Sequence, residues 1–426
     1  MEQFEVEGGQ PIGGEITPSG NKNEALPCIA ASLLADGPIE FENLPDISDV
    51  RTMLGLVEDL GARIERSEPH RATIRSVGDG RPDFEAARRI RGSFLLAAPL
   101  LVRRGEVHLP APGGDRIGRR RIDTHLLAFR AMGADVVVER GEYVLRAPDG
   151  LTGASVFLDE ASVMGTENAL MAAVTARGTT TIMNAASEPH VQGLCRMLVA
   201  MGARIEGVGT NRLQIEGAER LSGASHRIGP DHIEVGSFVG LAAATGGELV
   251  VRGAGVEHLA MVRIGFERLG VRLELDGDDV RVPGGQALAI VDDSDGAIPT
   301  IDDAPWPGFP ADLISIMVVV ATQAFGTILI HEKMFESRLF FVDRLQRMGA
   351  RIVLCDPHRV IVNGPTPLEG ARIASPDIRA GMALVIAALT ARGRSVIQNI
   401  EQIDRGYERI DERLRAIGAS IRRVEP

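Results

Sequence analysis

Aromatic side chains are scarce in this sequence. They make up 4% of its 426 residues, and it has one tryptophan. Proteins that bind single-stranded nucleic acid without sequence preference stack the bases on aromatic rings, so this composition argues against such a binder. The net charge of −12 argues further against a general partner of nucleic acids or anionic membrane surfaces. An anionic ligand would therefore have to be held by locally placed cations.

Cysteines and long apolar segments are also few. Cys28, Cys195 and Cys355 are odd in number, far apart, and each lies in an apolar stretch. We predict reduced core thiols of a cytoplasmic protein, rather than disulfides or metal ligands. The most apolar segment, 313–330, is interrupted by polar residues and falls short of the roughly 20 apolar residues that span a membrane. The sequence opens with a strand-like segment at 4–7, so we expect no secretion signal there.

What the sequence does contain is a repeat with a period of roughly seventy residues, the length of a small supersecondary module. In each copy an amphipathic helix pattern ends at a glycine, and a strand of alternating β-branched and charged residues follows. We expect these glycines to end the helices in the positive-φ conformation. They are Gly61, Gly133, Gly202, Gly270, Gly349 and Gly418.

A second series of six stretches is apolar on nearly all sides. It comprises 25–37, 93–105, 168–178, 237–247, 313–326 and 382–393. A helix of this composition must be buried on every side. The combined pattern predicts a β-α-β-α-β-β module repeated six times, divided into two domains of three modules. In each domain the apolar helices would bundle centrally with the sheets outside, and the boundary would fall near Gly229 and Pro230.

Charged residues at the starts of the apolar helices are unusual. Lys22, Arg91 and Arg379 are predicted at N-terminal ends, where the helix dipole disfavours a cation. Either these cations pair with acids in the fold, or they help to hold an anionic ligand. Lys22 favours the second reading, because only one other lysine occurs beside 44 arginines. The segment 110–123, rich in proline, glycine and arginine, predicts a loop that is either a mobile lid or an ordinary surface loop.

Taken in order, these segments resemble the enolpyruvyl transferase family, in the branch that acts on UDP-N-acetylglucosamine. The resemblance runs end to end, through 19–27, 112–123, 188–189, 230–231, 309–312, 335–338, 377–380 and 404–410. It implies an α/β fold of two inside-out, barrel-like domains, each of three βαβαββ modules, with the active site in the interdomain cleft. The N-terminal domain would comprise 22–229 with the loop 110–123, and the C-terminal domain 1–21 and 230–426.

The resemblance also implies a reaction and a set of residues. Enolpyruvyl would pass from phosphoenolpyruvate to the 3′-hydroxyl of UDP-N-acetylglucosamine with release of phosphate, the first committed step of peptidoglycan synthesis, without metal or organic cofactor. Catalytic roles would fall to Asp115 as proton donor, Asp312 as base, Lys22 and Arg405. Phosphoenolpyruvate would be bound by Lys22, Asn23, Arg120, Arg338, Arg379 and Arg405. UDP-N-acetylglucosamine would be bound by Asn23, Arg91, Arg120, Arg121, Ile122, Asp123, Ser162, Val163, Asp312 and Met334. No nucleic acid, membrane or obligate protein partner is expected.

The sequence departs from the family pattern at several places. Asp115 stands where most members have a cysteine, which implies resistance to fosfomycin, an epoxide that alkylates that thiol. Met164 replaces a usual glycine, and three arginines at 119–121 replace a single arginine followed by proline. Two alternatives stay open: an enolpyruvyl transferase acting on shikimate 3-phosphate, and a non-catalytic paralogue that binds a nucleotide sugar and regulates. The long loop and the 404–407 ending count against the first, and the retained charged residues count against the second.

Overall fold

The computed structural model describes residues 2–76, 78, 80–115, 117–139 and 141–425. The strands are β1 (Gln3–Gly8), β2 (Gly14–Ile16), β3 (Ile39–Glu42), β4 (Arg63–Glu68), β5 (Arg71–Arg75), β6 (Glu106–Pro110), β7 (Asp135–Glu139), β8 (Glu142–Arg146), β9 (Ser155–Phe157), β10 (Thr179–Met183), β11 (Arg204–Glu206), β12 (Arg212–Glu216), β13 (Ala224–Arg227), β14 (Leu249–Val251), β15 (Glu274–Asp276), β16 (Asp279–Val282), β17 (Thr300–Asp302), β18 (Gly326–His331), β19 (Ile352–Asp356), β20 (Arg359–Gly364), β21 (Arg372–Ala374), β22 (Gly393–Gln398) and β23 (Ser420–Val424).

The helices are α1 (Lys22–Ala31), α2 (Ser48–Asp59), α3 (Phe84–Arg89), α4 (Ala97–Arg104), α5 (Asp123–Ala131), α6 (Val163–Ala173), α7 (Pro189–Ala200), α8 (His232–Thr245), α9 (Ala260–Arg268), α10 (Ile314–Ala321), α11 (Val342–Arg347), α12 (Ile378–Thr390) and α13 (Ile410–Ala416). Short 3₁₀ segments accompany them at Ser32–Leu34, Arg91–Leu96, Val256–His258, Ala311–Leu313, Arg338–Phe341 and Ile400–Arg405. Within the described ranges, no helix is both long enough and apolar enough to span a membrane.

The chain divides into two compact units. The N-terminal unit comprises Gly20–Asp115 and Arg120–Gly229, and the C-terminal unit comprises Met1–Ser19, Arg116–Arg119 and Pro230–Pro426. The middle of the loop 110–123 thus groups with the C-terminal unit, although the sequence analysis assigned the whole loop to the N-terminal domain. Two hydrogen bonds explain the difference. The Arg119 amide donates to Glu336 Oε1 at 2.8 Å, and the Ser337 amide donates to the Ile117 carbonyl at 3.0 Å.

Each unit contains three sheets within the described residues, five of the six having four strands and the sheet of β6, β7 and β8 having three. In the N-terminal unit the strand orders are β13-β3-β5-β4, β6-β8-β7 and β11-β12-β10-β9. In the C-terminal unit they are β15-β16-β14-β2, β17-β18-β20-β19 and β21-β22-β1-β23. The strand β1 pairs with β22 and β23, and β2 pairs with β14, so the first two strands of the chain complete two sheets of the C-terminal unit. The resemblance implied that residues 1–21 belong to the C-terminal domain.

The apolar helices form the centre of each unit, as the composition predicted. In the C-terminal unit, α8, α10 and α12 pack against one another in all three pairs. Every residue of α10 is buried. In the N-terminal unit, α4 packs on α6, and α1 packs on the 3₁₀ segment Arg91–Leu96. Burying one large aliphatic side chain contributes about 1.5–3 kcal/mol, so these helices account for much of the stability of each unit.

The six repeat glycines end their helices as predicted. Their φ values lie between 78° and 104°, a range that residues with a Cβ rarely adopt. At Gly61 the closing hydrogen bonds are those of a Schellman motif, with the Gly61 amide bonded to Glu58 and the Ala62 amide bonded to Val57.

The prediction for the cysteines is right for two of the three. Cys28 and Cys195 are buried, and burial raises the pKa of both thiols, that of Cys195 to about 12. Cys355 is exposed, contrary to the prediction. It lies on β19, an edge strand of its sheet, where Val353 and Leu354 are also exposed. An edge strand with little cover leaves apolar-looking residues in solvent, which sequence composition does not reveal.

Candidate active site

The start of α1 presents Lys22 and Asn23. Asn21 caps the helix, because its side-chain oxygen accepts from the amides of Asn23 and Glu24 at 2.8 and 3.3 Å. Lys22 is largely buried, and its Nζ lies 3.4 Å from Oδ2 of Asp49 on α2. Of the two explanations left open for this cation, the structure therefore supports pairing with an acid in the fold. An ammonium at this distance from a single carboxylate still has donor capacity for a ligand.

Arg91 holds the backbone of the loop that follows Asp115. Its Nη2 donates to the carbonyl oxygens of Arg120 and Arg121, at 2.9 Å each. Burial and the nearby Arg120 lower the pKa of Arg91 to about 10. Gly114 makes the close packing possible. Its φ is 102°, and a Cβ added there would lie 3.0 Å from Arg91 Cβ. Arg91 thus fixes the path of the segment that carries Arg120, and both it and the partly buried Asp115 belong to the N-terminal unit.

The residues predicted to contact the nucleotide sugar divide into two kinds. Arg121 is exposed and is bound by Asp123 Oδ2 at 3.1 Å and Asp159 Oδ2 at 2.9 Å. Asp159 also accepts from the Thr124 hydroxyl at 2.8 Å. Asp159 and Thr124 were missed by sequence reasoning, because nothing in the local pattern pairs them with Arg121.

Three further residues predicted to contact the nucleotide sugar have structural roles in the described fold. Ile122 is buried in the core of the N-terminal unit. Ser162 caps α6 by accepting from the Gly165 amide at 3.2 Å, and Val163 is the first residue of that helix.

In the C-terminal unit, Asp312 joins two predicted cations. Asp312 Oδ1 accepts from Arg338 Nη2 at 2.9 Å, and Oδ2 accepts from Arg379 Nε at 3.0 Å. The side chains of both arginines are nearly inaccessible, with 2% and 5% exposure, whereas that of Asp312 is 28% exposed. Asp377 caps α12 by accepting from the amides of Arg379 and Ala380, which sets the direction of Arg379. The three predicted residues therefore form one cluster.

The guanidinium groups of this cluster keep donors in reserve. Arg338 Nε and Nη1 and Arg379 Nη1 are buried and have no hydrogen-bond partner within the described part of the chain. Burial alone would lower the pKa of both arginines, but Asp312 beside them holds both pKa values above the usual one. Because a buried donor without a partner is costly, such a group indicates a site for an absent acceptor. The cluster can bind an anion and, at Asp312, accept a proton.

Glu332, which sequence reasoning did not identify, lies directly behind Arg338. It is fully buried, and its Oε2 is 3.4 Å from Arg338 Nε, without hydrogen-bond geometry. Burial raises the pKa of Glu332 to about 9, because it outweighs the lowering effect of Arg338. Asp303 raises the pKa as well. The carboxyl group is therefore protonated at neutral pH, and the carboxylate paired with Arg338 is that of Asp312. Only burial distinguishes it from a surface glutamate, so the sequence offers no signal for it.

The remaining predicted residues lie in the same unit. Arg405 ends the 3₁₀ segment Ile400–Arg405, is half-buried, and donates to Gln402 Oε1 at 3.0 Å. Met334 is 39% exposed, in the turn after β18. Tyr407 was quoted only as part of a motif. It is buried, receives the guanidinium of Arg379 over its ring at 5.5 Å, and exchanges a hydrogen bond with Ser237 at 2.9 Å.

One group of metal-ligand type occurs among the described residues, in the N-terminal unit. It comprises Glu24, Cys28 and His226, all buried, with ligand atoms within 4.8 Å of one another. Glu24 Oε1 is bound to His226 Nε2 at 2.9 Å, and its Oε2 accepts from the Gly229 amide at 3.3 Å. Since protein groups engage both carboxylate oxygens, the trio is accounted for as a buried link between α1 and β13.

Comparison with known proteins places this fold and these residues in a family. The family model described as EPSP synthase (3-phosphoshikimate 1-carboxyvinyltransferase) matches residues 6–414. The enolpyruvyl transferase NikO from Streptomyces tendae superposes with a TM-score of 0.88 at 25% identity, covering 100% of this chain and 99% of that one. EPSP synthase from Acinetobacter baumannii, at 20% identity, shares the fold with a TM-score of 0.76 over 100% of both chains. The chain belongs to the enolpyruvyl transferase family.

Sequence relatives place it more narrowly, among proteins named UDP-N-acetylglucosamine 1-carboxyvinyltransferase. The relative of that name from Bradyrhizobium diazoefficiens is 57% identical over 425 residues, which is 99% of this chain and 98% of that protein. The one from Treponema denticola is 53% identical over 423 residues, 99% of both.

Proposed function

We propose that this protein transfers the enolpyruvyl group of phosphoenolpyruvate to the 3′-hydroxyl of UDP-N-acetylglucosamine and releases phosphate, the step that opens peptidoglycan synthesis. The observation that carries the proposal is the cluster of Asp312, Arg338 and Arg379, with three buried guanidinium nitrogens that lack a partner among the described residues. Full-length relatives at 57% and 53% identity support the choice of acceptor.

The chemistry is an addition followed by an elimination. The sugar hydroxyl adds to C2 of phosphoenolpyruvate as its proton leaves, and C3 gains a proton. Loss of that C3 proton and of phosphate then restores the double bond in the product. The reaction needs cations for a phosphate and a carboxylate, a base at the hydroxyl and an acid at the methylene carbon.

The C-terminal unit would supply the carboxylate site and the base. Arg338 and Arg379 would bind the carboxylate, because a guanidinium group presents two parallel donors to two oxygens. Asp312 would accept the hydroxyl proton. Its two oxygens accept guanidinium hydrogen bonds from Arg338 and Arg379, which hold the carboxylate in place for this role. Arg405 of the same unit would bind the phosphate.

The N-terminal unit would supply the remaining groups. Lys22 and Arg120 would bind the phosphate together with Arg405, and Asn23 would contact both substrates. Asp115 would donate the proton to C3. Arg91 would act through the loop backbone, since its Nη2 donates to the carbonyls of Arg120 and Arg121. We place the reaction in the cytoplasm, in keeping with the free thiols Cys28, Cys195 and Cys355.

The test is the release of inorganic phosphate from phosphoenolpyruvate, followed separately with UDP-N-acetylglucosamine and with shikimate 3-phosphate. We expect release with the first acceptor only. Release with shikimate 3-phosphate alone would assign the protein to the other acceptor class. Binding of the nucleotide sugar without phosphate release from either mixture would indicate the non-catalytic paralogue.

A further inference from the structure

Arg423, on the last strand, is bound to several carboxylates, one of which belongs to Asp404, the neighbour of the proposed phosphate ligand Arg405. Its Nη1 and Nη2 donate to Asp404 Oδ2 and Oδ1 at 2.8 and 2.7 Å, a bidentate pair. Glu2 accepts a further bond at 2.8 Å, and Phe4 on β1 lies under the cation, 5.1 Å from its centre. Such a planar pair fixes both position and direction of the two groups. Asp404 is therefore tied to the sheet of β1 and β23.

Asp404 immediately precedes Arg405 in the 3₁₀ segment Ile400–Arg405. Successive side chains of a 3₁₀ helix project about 120° apart, because it has 3.0 residues per turn. Once the direction of Asp404 is set by the sheet, the direction in which Arg405 leaves the segment follows. Within the segment, Arg405 donates to Gln402 Oε1 at 3.0 Å.

We propose that Arg423 is a positioning residue for the reaction. Through its bidentate pair with Asp404 it sets the direction of Arg405, and with it the affinity of the protein for phosphoenolpyruvate. The inference rests on the proposed function, in which Arg405 binds the phosphate of this substrate. Arg423 touches no substrate in this account and acts on Arg405 through Asp404.

The chain offers a matched control on the same strand. Arg422 is the preceding residue, and its side chain projects from the opposite face of β23 because strand side chains alternate. It pairs with Glu5 on β1, with Nε 2.7 Å from Glu5 Oε2, and its side chain is 67% exposed. Replacing Arg422 by methionine removes one positive charge from β23, as replacing Arg423 does, but leaves Asp404 bound. It breaks the pair with Glu5, whereas replacing Arg423 breaks pairs with Asp404, Glu2 and Asp411.

The experiment compares Arg423→Met, Arg423→Lys, Asp404→Asn and Arg422→Met in the full-length protein. Calorimetric titration gives the Kd for phosphoenolpyruvate, steady-state kinetics give KM for both substrates, and thermal melting reports stability. A displacement of about 1 Å in a binding group can cost up to a hundredfold in rate, so we expect R423M to weaken phosphoenolpyruvate binding by about tenfold or more. The KM for UDP-N-acetylglucosamine should stay within about twofold, R422M should resemble the unmodified protein, and R423K should recover part of the loss.

Because Arg423 and Asp404 act as a unit in this account, the double variant should bind phosphoenolpyruvate no more weakly than either single variant. Equal Kd values for R423M and R422M would overturn the inference, as would losses that add in the double variant. Absence of phosphoenolpyruvate binding by the unmodified protein would overturn the proposed function as well. Binding that R423M leaves unchanged would overturn the inference alone.

Discussion

Arg379 Nε donates a hydrogen bond of 3.0 Å to Asp312 Oδ2, so a cation proposed for the substrate carboxylate is bound to the base proposed for the sugar hydroxyl. Asp312 and Arg379 are thus held in one arrangement before substrate binds. Arg379 is fixed in turn by the helix cap at Asp377 and by the ring of Tyr407. Preorganised charges of this kind need no rearrangement during the reaction, which is where much of an enzyme's rate enhancement originates.

Replacing Asp312 by asparagine should abolish most turnover. The amide keeps the shape and one accepting oxygen, but it cannot take the proton of the sugar hydroxyl. We expect kcat to fall about a hundredfold or more, with binding of UDP-N-acetylglucosamine largely retained. The control is Asp343→Asn, which removes an exposed carboxylate bound to Arg344 in the same unit. Near-normal kcat in the Asp312 variant would show that another group is the base.

Affinity for phosphoenolpyruvate should fall as the pH rises through about 9. Glu332, whose pKa burial raises to about 9, is neutral below that pH. Once ionised, its carboxylate, 3.4 Å from Arg338 Nε, would compete with the substrate for this guanidinium. Asp303 beside it raises the pKa of Glu332 further. Measuring the Kd for phosphoenolpyruvate from neutral pH to about pH 10 tests this.

The Glu332→Gln variant separates this effect from other titrations at high pH. The amide imitates the neutral carboxyl group, so the variant should bind like the unmodified protein at neutral pH and lose less affinity above about pH 9. The free energy of unfolding should change in the same direction as the affinity: both fall as the pH rises. The pKa of Glu332 is higher in the folded than in the unfolded protein, so its contribution is complete at low pH and is lost as the pH rises through the folded pKa. Identical pH profiles for both proteins would remove Glu332 from this role.

Arg91 should matter for both substrates because it holds the loop backbone. Replacing it by methionine leaves the carbonyls of Arg120 and Arg121 without their shared donor. A hydrogen bond from a charged group contributes about 1.5–3 kcal/mol, so we expect KM for phosphoenolpyruvate to rise about tenfold or more. Arg89→Met is the matched control, because Arg89 is exposed and lies two residues before Arg91. Unchanged KM values in the Arg91 variant would mean that the loop holds its path without it.

The protein should resist fosfomycin while remaining active. A thiolate opens the epoxide of this drug readily, whereas the carboxylate of Asp115 at the same place should react far more slowly. Asp115→Cys should therefore create time-dependent inactivation with a covalent adduct visible by mass spectrometry. The exposed Cys355 provides an internal control, because accessibility alone should not lead to inactivation. Rapid, stoichiometric inactivation of the unmodified protein would contradict this assignment of Asp115.

The fold could be predicted from the sequence because its signals are local. Glycines such as Gly61 end helices through their own conformational freedom, and apolar helices such as α10 reveal by composition alone that they are buried on all sides. The site could be predicted in part, because Lys22 and Arg379 lie at helix starts, where cations are unusual. What could not be predicted depends on distant neighbours. The burial of Glu332 and the bond between Arg119 and Glu336 depend on contacts that no local pattern encodes.

The central claim is enolpyruvyl transfer to UDP-N-acetylglucosamine, and identification of the product tests it most directly. The protein is incubated with phosphoenolpyruvate and UDP-N-acetylglucosamine, and the nucleotide sugar is examined by mass spectrometry and proton NMR beside a phosphate assay. We predict one phosphate released for each sugar converted, with the vinyl protons of an enolpyruvyl ether at the 3′ position. Unmodified UDP-N-acetylglucosamine after prolonged incubation, in a protein that binds both compounds, would contradict the account.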